Sequence, residues 1–173
     1  TGKTGTSGGA PITLSGDTVT LGTGTILGSG VTGFGLITGA DQYRLTTNFT
    51  TQDFVTGANV ERNDTVFEKI GTGMSYDSSS GVFTFPETGI WWVICSAMID
   101  SNSGAEAYGG INIFVSTTGV SGTYTSRAVN YDSLYSTSYF GSTFTSLILD
   151  VNSITSSTAV TVKFQVQSSS TDV

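Results

Sequence analysis

From residue 41 onward, apolar and polar positions alternate in short runs separated by turn residues. Tyr43, Leu45, Thr47 and Phe49 share one face of a first strand, and Val66, Glu68 and Ile70 lie opposite Phe67 and Lys69 in a second. Asp77-Ser78-Ser79-Ser80-Gly81 has turn composition. It leads into Val82-Phe83-Thr84-Phe85, and Pro86 closes that strand because it has no N–H for a ladder. Ile111, Ile113 and Val115 alternate with Asn112, Phe114 and Ser116, and residues 144–151 form a long apolar strand. Val160, Val162, Phe164 and Val166 alternate with Thr161, Lys163, Gln165 and Gln167, as in a strand with one wet face. No window sustains a 3.6-residue period, so the pattern predicts an all-β fold with turns spaced as in sandwiches and barrels.

One strand breaks the alternation. In Ile90-Trp91-Trp92-Val93-Ile94-Cys95-Ser96-Ala97-Met98-Ile99 both faces are apolar. Burying a large apolar side chain contributes about 1.5–3 kcal/mol, so a second wet face would be costly. The expectation is a surface beyond the domain's own core, most simply a subunit interface carried by Trp91, Trp92, Ile94 and Met98.

Residues 1–40 differ from the rest. They are rich in Gly and Thr, with Phe34 as their one aromatic. Ile12 and Leu14, Val19 and Leu21, and then Ile26 recur at a step of seven residues, interrupted by glycine turns. Short strands fit this better than a heptad helix, because β-branched residues and glycine both oppose a helix. Two apolar side chains per strand are too few to fold alone. Residues 1–40 are therefore expected to form a β-structured stalk or attachment segment whose core (Ile12, Leu14, Val19, Leu21, Ile26) is shared between copies, ahead of a head at 41–173. A disordered Gly/Thr tail is the competing reading. The chain opens at Thr1 in mid-composition without a signal-like segment, as a fragment or processed form would.

Composition narrows the chemistry. The 173 residues carry six Lys and Arg against thirteen Asp and Glu, a net charge of −7, and no histidine. Histidine-based triads, His-ligated zinc and histidine pH switches are thereby excluded. A chain this acidic lacks the basic face that nucleic acid requires. Its longest apolar run is too short to span a bilayer as a helix. The single Cys95 sits in the apolar strand and reads as a small buried hydrophobe. Gly2-Lys3-Thr4 lacks the first glycine and preceding strand of a phosphate loop. The scattered carboxylates single out no catalytic pair, and no calcium loop appears, although Asp100 or Asp132 could serve near a symmetry axis. The expectation is no enzyme and no cofactor. Residues 131–140 are the most interesting surface candidate, a Tyr/Ser-rich loop offering Tyr131, Asp132, Tyr135 and Tyr139. Tyrosine supplies contact area at small entropic cost, and serine supplies adaptable hydrogen bonds. The competing reading places Tyr131, Tyr139 and Phe140 on flanking strands, packed inward.

The stretch from Tyr76-Asp77 through Gly81-Val82-Phe83-Thr84-Phe85-Pro86-Glu87-Thr88-Gly89-Ile90-Trp91-Trp92 resembles the signature of C1q/TNF-like jelly-roll domains. The likeness covers about residues 41–167. It implies a homotrimeric jelly-roll sandwich whose inner sheets pack about a threefold axis. The Gly/Thr-rich leader and the Asp41-Gln42-Tyr43-Arg44-Leu45 opening are similar to fibre or appendage proteins of marine bacteriophages. The family's Phe-rich last strand has no counterpart after residue 167. The expected role is a virion structural protein at the virion surface: a trimeric fibre, decoration or appendage subunit. Its partners would be itself, other virion proteins and a host-surface glycan or receptor. The alternative is a secreted bacterial carbohydrate-binding or extracellular-filament module.

Overall fold

The computed structural model describes residues 12–15, 18–21, 37–49, 53–63, 69–100, 106–134 and 140–169, and contains no helix among them. The chain divides into two units, Thr1–Thr38 and Gly39–Val173. In the first, β1 (Ile12–Ser15) and β2 (Thr18–Leu21) form an antiparallel pair that sets Ile12 opposite Leu21 and Leu14 opposite Val19. Ile26 lies outside the described residues.

The second unit is β-sandwich-like. Its short early strands are β3 (Ala40–Asp41), β4 (Tyr43–Leu45), β5 (Val60–Arg62), β6 (Lys69–Ile70), β7 (Ser75–Asp77) and β8 (Val82–Thr84). The long ones are β9 (Gly89–Asp100), β10 (Glu106–Ser116), β11 (Thr125–Leu134), β12 (Phe140–Val151) and β13 (Thr161–Ser168). One layer is a five-stranded sheet in the order β11-β10-β13-β8-β7, and β12 pairs with β9 in the other. From β8 the chain crosses to β9, returns for β10 and β11, crosses again to β12, and returns for β13. The core lies between the layers. Phe83, Ile113, Val115 and Val162 of the five-stranded sheet meet Val93 and Val151 of the β9–β12 pair, and Ile99 meets Ile111 and Leu134.

The alternation of apolar residues produces this arrangement directly. In β13 Val162 and Val166 are buried toward the core, whereas Lys163, Gln165 and Gln167 are not buried, with Thr161 at the strand's start buried as well. Asp77 ends β7 and organises the turn into β8, accepting from Ser79 N at 2.9 Å, Ser79 Oγ at 2.7 Å and Ser80 Oγ at 2.6 Å. Gly81 completes the turn at φ +72°, where a Cβ would lie 2.7 Å from the Val55 carbonyl oxygen. Near the start of the second unit Asp41, with a side chain 2% exposed, accepts from Arg62 Nε at 2.8 Å, Arg62 Nη2 at 3.0 Å and Met74 N at 2.6 Å. A carboxylate withdrawn from water needs such partners.

Two expectations need correction. The strand expected over 43–49 is regular only to Leu45, with one further backbone bond from Thr46 N to Asn59 O. Residues 131–134 are not loop but the end of β11, and Phe140 opens β12. The segment between them, with Tyr135 and Tyr139, lies outside the described residues, as do 64–68 of the expected second strand.

Candidate functional site

The two sides of β9 have different fates. Its odd residues Trp91, Val93, Cys95, Ala97 and Ile99 turn toward the core. The Trp91 ring packs against Phe85, with centroids 5.2 Å apart and planes tilted by 51°. Its even residues face away from the core. β12 runs antiparallel beside it in unbroken register, with Ile148 opposite Trp92 and Phe144 opposite Ser96. Every second residue of β12 is therefore displayed on the same outward face. Ile90, Trp92, Ile94, Met98, Phe140, Phe144 and Ile148 are between 46% and 75% exposed. Of the four residues expected at an interface, Trp92, Ile94 and Met98 share this face. Trp91, one residue away in the pleat, belongs to the core.

These seven side chains leave about 900 Å² of largely apolar surface, beyond the few hundred Å² usual for a patch on a monomer. That is also about one partner's share of an ordinary stable protein–protein interface. Among the described residues of this strand pair, acidic side chains stand only at its ends, Asp100 on β9 and Asp150 on β12.

The edges of the pair complete the picture. On the far side of β12, Asn130 Nδ2 donates to Phe144 O at 3.0 Å and Ser142 N donates to Asp132 Oδ2 at 3.2 Å. Side chains of β11 thus occupy backbone groups that point away from β9. By antiparallel alternation, the even residues of β9 aim their own N–H and C=O groups to the opposite edge. Among the described residues no strand pairs there. β9 carries no Lys, Pro or bulge along its length, the devices that usually protect an open edge.

Tyr131 stands on β11 with its ring on the outer side of the five-stranded sheet, whereas Asp132 turns the other way. The Asp132 carboxylate is held by Ser133 N at 2.8 Å as well as by Ser142 N. Asp100 has one buried oxygen, Oδ1, without a hydrogen-bond partner. No group of three or more metal-ligating side chains occurs among the described residues. Burial between the two core clusters pushes the Cys95 thiol up to about 11, which makes it a poor nucleophile. No helix among the described residues is long and apolar enough to cross a membrane.

The apolar strand drew attention in the sequence, but the contribution of β12 did not. Phe140, Phe144 and Ile148 lie four residues apart, and pairing with β9 brings them to one surface. Comparison with protein-family models and with curated proteins gives no match for this chain.

Proposed function

We propose that this chain is a subunit of a homotrimeric virion structural protein, a fibre, decoration or appendage component, that acts by assembly and surface contact. The observation that carries the reading is the uncovered β9–β12 face. An apolar surface of about one interface share, on a chain with few charges, favours association over solvation. Copies packed face to face about an axis would cover Trp92, Ile94, Met98 and Ile148 together. The head is read as a C1q/TNF-like jelly roll. Support comes from the Phe83-Thr84-Phe85-Pro86 signature and from the repeated crossing between layers from β8 to β13, with which that architecture is compatible.

In this reading residues 1–40 attach or extend the trimer, other virion proteins receive it, and the head faces a host-surface glycan or receptor. Durability would rest on buried symmetric interfaces rather than disulfides, since one cysteine cannot form an intrachain bridge. The test is immunogold labelling, with antibodies against this chain, of cultures that produce it. Label on virus particles is the expected result. Label confined to cell-surface filaments or secreted matrix would replace the reading with an extracellular bacterial module.

A further inference from the structure

The outer face of the five-stranded sheet holds an ordered group that the assembly reading leaves unused. The register aligns Tyr131 of β11, Gly110 of β10 and Gln167 of β13 in one row. Gly110 has no side chain, so the Tyr131 ring lies across β10. A Cβ on Gly110 would come within 2.3 Å of both the ring and Asn130 O. Tyr131 and Gln167 together thereby bridge two strand spacings, about 9.6 Å, with the Tyr131 hydroxyl donating to Gln167 Oε1. Gln167 Nε2 in turn donates to Gln165 Oε1 at 2.8 Å, in the next row of the same strand. Tyr108 stands beside Tyr131 with ring centroids 4.9 Å apart and planes at 64°. The two tyrosines remain 41% and 43% exposed.

This relay has a direction. Each amide oxygen is taken by the donor before it, which fixes both glutamines in one orientation. Among the described residues three polar functions of the relay then take no partner: the lone pairs of the Tyr131 hydroxyl, the second hydrogen of Gln167 Nε2, and both hydrogens of Gln165 Nε2. They lie beside two half-exposed aromatic rings. Burial and the neighbouring Tyr108 hydroxyl raise the Tyr131 pKa above its ordinary value of 10.0, so the hydroxyl stays neutral. No ionised side chain belongs to the group. Lys163, farther along β13, is engaged over the rings of Phe54 at 4.8 Å and Tyr124 at 4.6 Å.

We infer that Tyr108, Tyr131, Gln165 and Gln167 form a binding platform for a neutral saccharide. The C–H face of a pyranose packs against an aromatic face through the ring's negative quadrupole, and its hydroxyls match a mixed set of fixed amide donors and a phenolic acceptor. Without a fixed charge the platform gives an acidic or phosphorylated ligand no ion pair. The inference supplies a site and ligand class for the surface contact in the proposed role, and it stands whether or not the chain forms trimers.

The test is binding of the intact protein to an array of neutral and acidic microbial glycans, with light scattering on each sample. The expected result is binding to at least one neutral glycan, weakened about tenfold by Gln165→Ala and by Tyr108→Ala. Tyr131→Phe, which keeps the ring and removes the relay's first donor, is expected to weaken binding by a similar factor. Unchanged mass and circular dichroism would show these losses to be local. No neutral binding across the array overturns the inference. So does binding restricted to acidic glycans, or neutral binding that survives both alanine variants. A monomeric protein that still binds neutral glycan through these residues would retain the platform and refute only the trimer.

Discussion

Replacing Trp92 with serine tests the apolar face quantitatively. In the single chain this side chain is 67% exposed, about 170 Å² of an ordinary tryptophan's area. At about 25 cal/mol per Å², covering it is worth about 4 kcal/mol. Interfaces recover only part of such a transfer, which makes about 3 kcal/mol per chain a reasonable working loss. In the proposed trimer three chains would lose about 9 kcal/mol of association free energy, a factor of about 10^6.6 in the equilibrium constant. A three-chain equilibrium depends on the square of the monomer concentration, so the midpoint for assembly rises about two-thousandfold. Sedimentation velocity over a dilution series reads this shift. Far-UV circular dichroism should stay unchanged, because Trp92 contributes little to the folded single chain. Trp91→Ser is the matched control. Its ring packs on Phe85, and removing it is expected to cost about 3 kcal/mol of folding stability. An unchanged association midpoint in Trp92→Ser would refute the reasoning, as would loss of fold equal to that of Trp91→Ser.

Other expectations follow from individual groups. Asp41→Ala removes the carboxylate that holds Arg62 and Met74 N, and is expected to destabilise the second unit by about 3 kcal/mol in urea denaturation. The Asp77 carboxyl is lowered to about 2 from 3.8, chiefly by the Ser80 and then the Ser79 hydrogen bonds. Its contribution to stability is therefore present above pH about 4 and lost as pH falls through about 2, and Asp77→Asn should flatten that part of the acid denaturation profile. An NMR titration midpoint near 4 would contradict this. Cys95, with its thiol pushed up to about 11, should resist iodoacetamide at pH 8 in the folded protein and react fully in denaturant.

Strands with a dense apolar pattern could be read from the sequence, whether one face is buried, as along most of β13, or both are, as in β8, where Val82 and Phe83 are 3% and 4% exposed. Residues 82–85 with Pro86, and 160–167, fall within a residue or two of β8 and β13. β11 was hidden because its inward positions include Asn130 and Asp132, polar residues that bond the backbone of β12 rather than fill the core. Gly109-Gly110 resembles a turn, yet both lie inside β10. A Cβ on Gly109 would meet Leu134 Cδ1 at 2.6 Å in the core, and Gly110 seats the Tyr131 ring on the opposite face. These close approaches depend on residues more than twenty positions away. Local pattern carries no record of them, which is why Tyr108, Gln165 and Gln167 drew no attention as a group. The adjacent tryptophans illustrate the same point. Their shared hydrophobicity suggests one role, and the pleat gives them two.

The central claim, that copies of this chain cover the β9–β12 face, is tested most directly by light-scattering mass of the intact protein at micromolar concentration. The expected mass is three times the 17.9 kDa of one chain. A stable species at the mass of a single chain would contradict it.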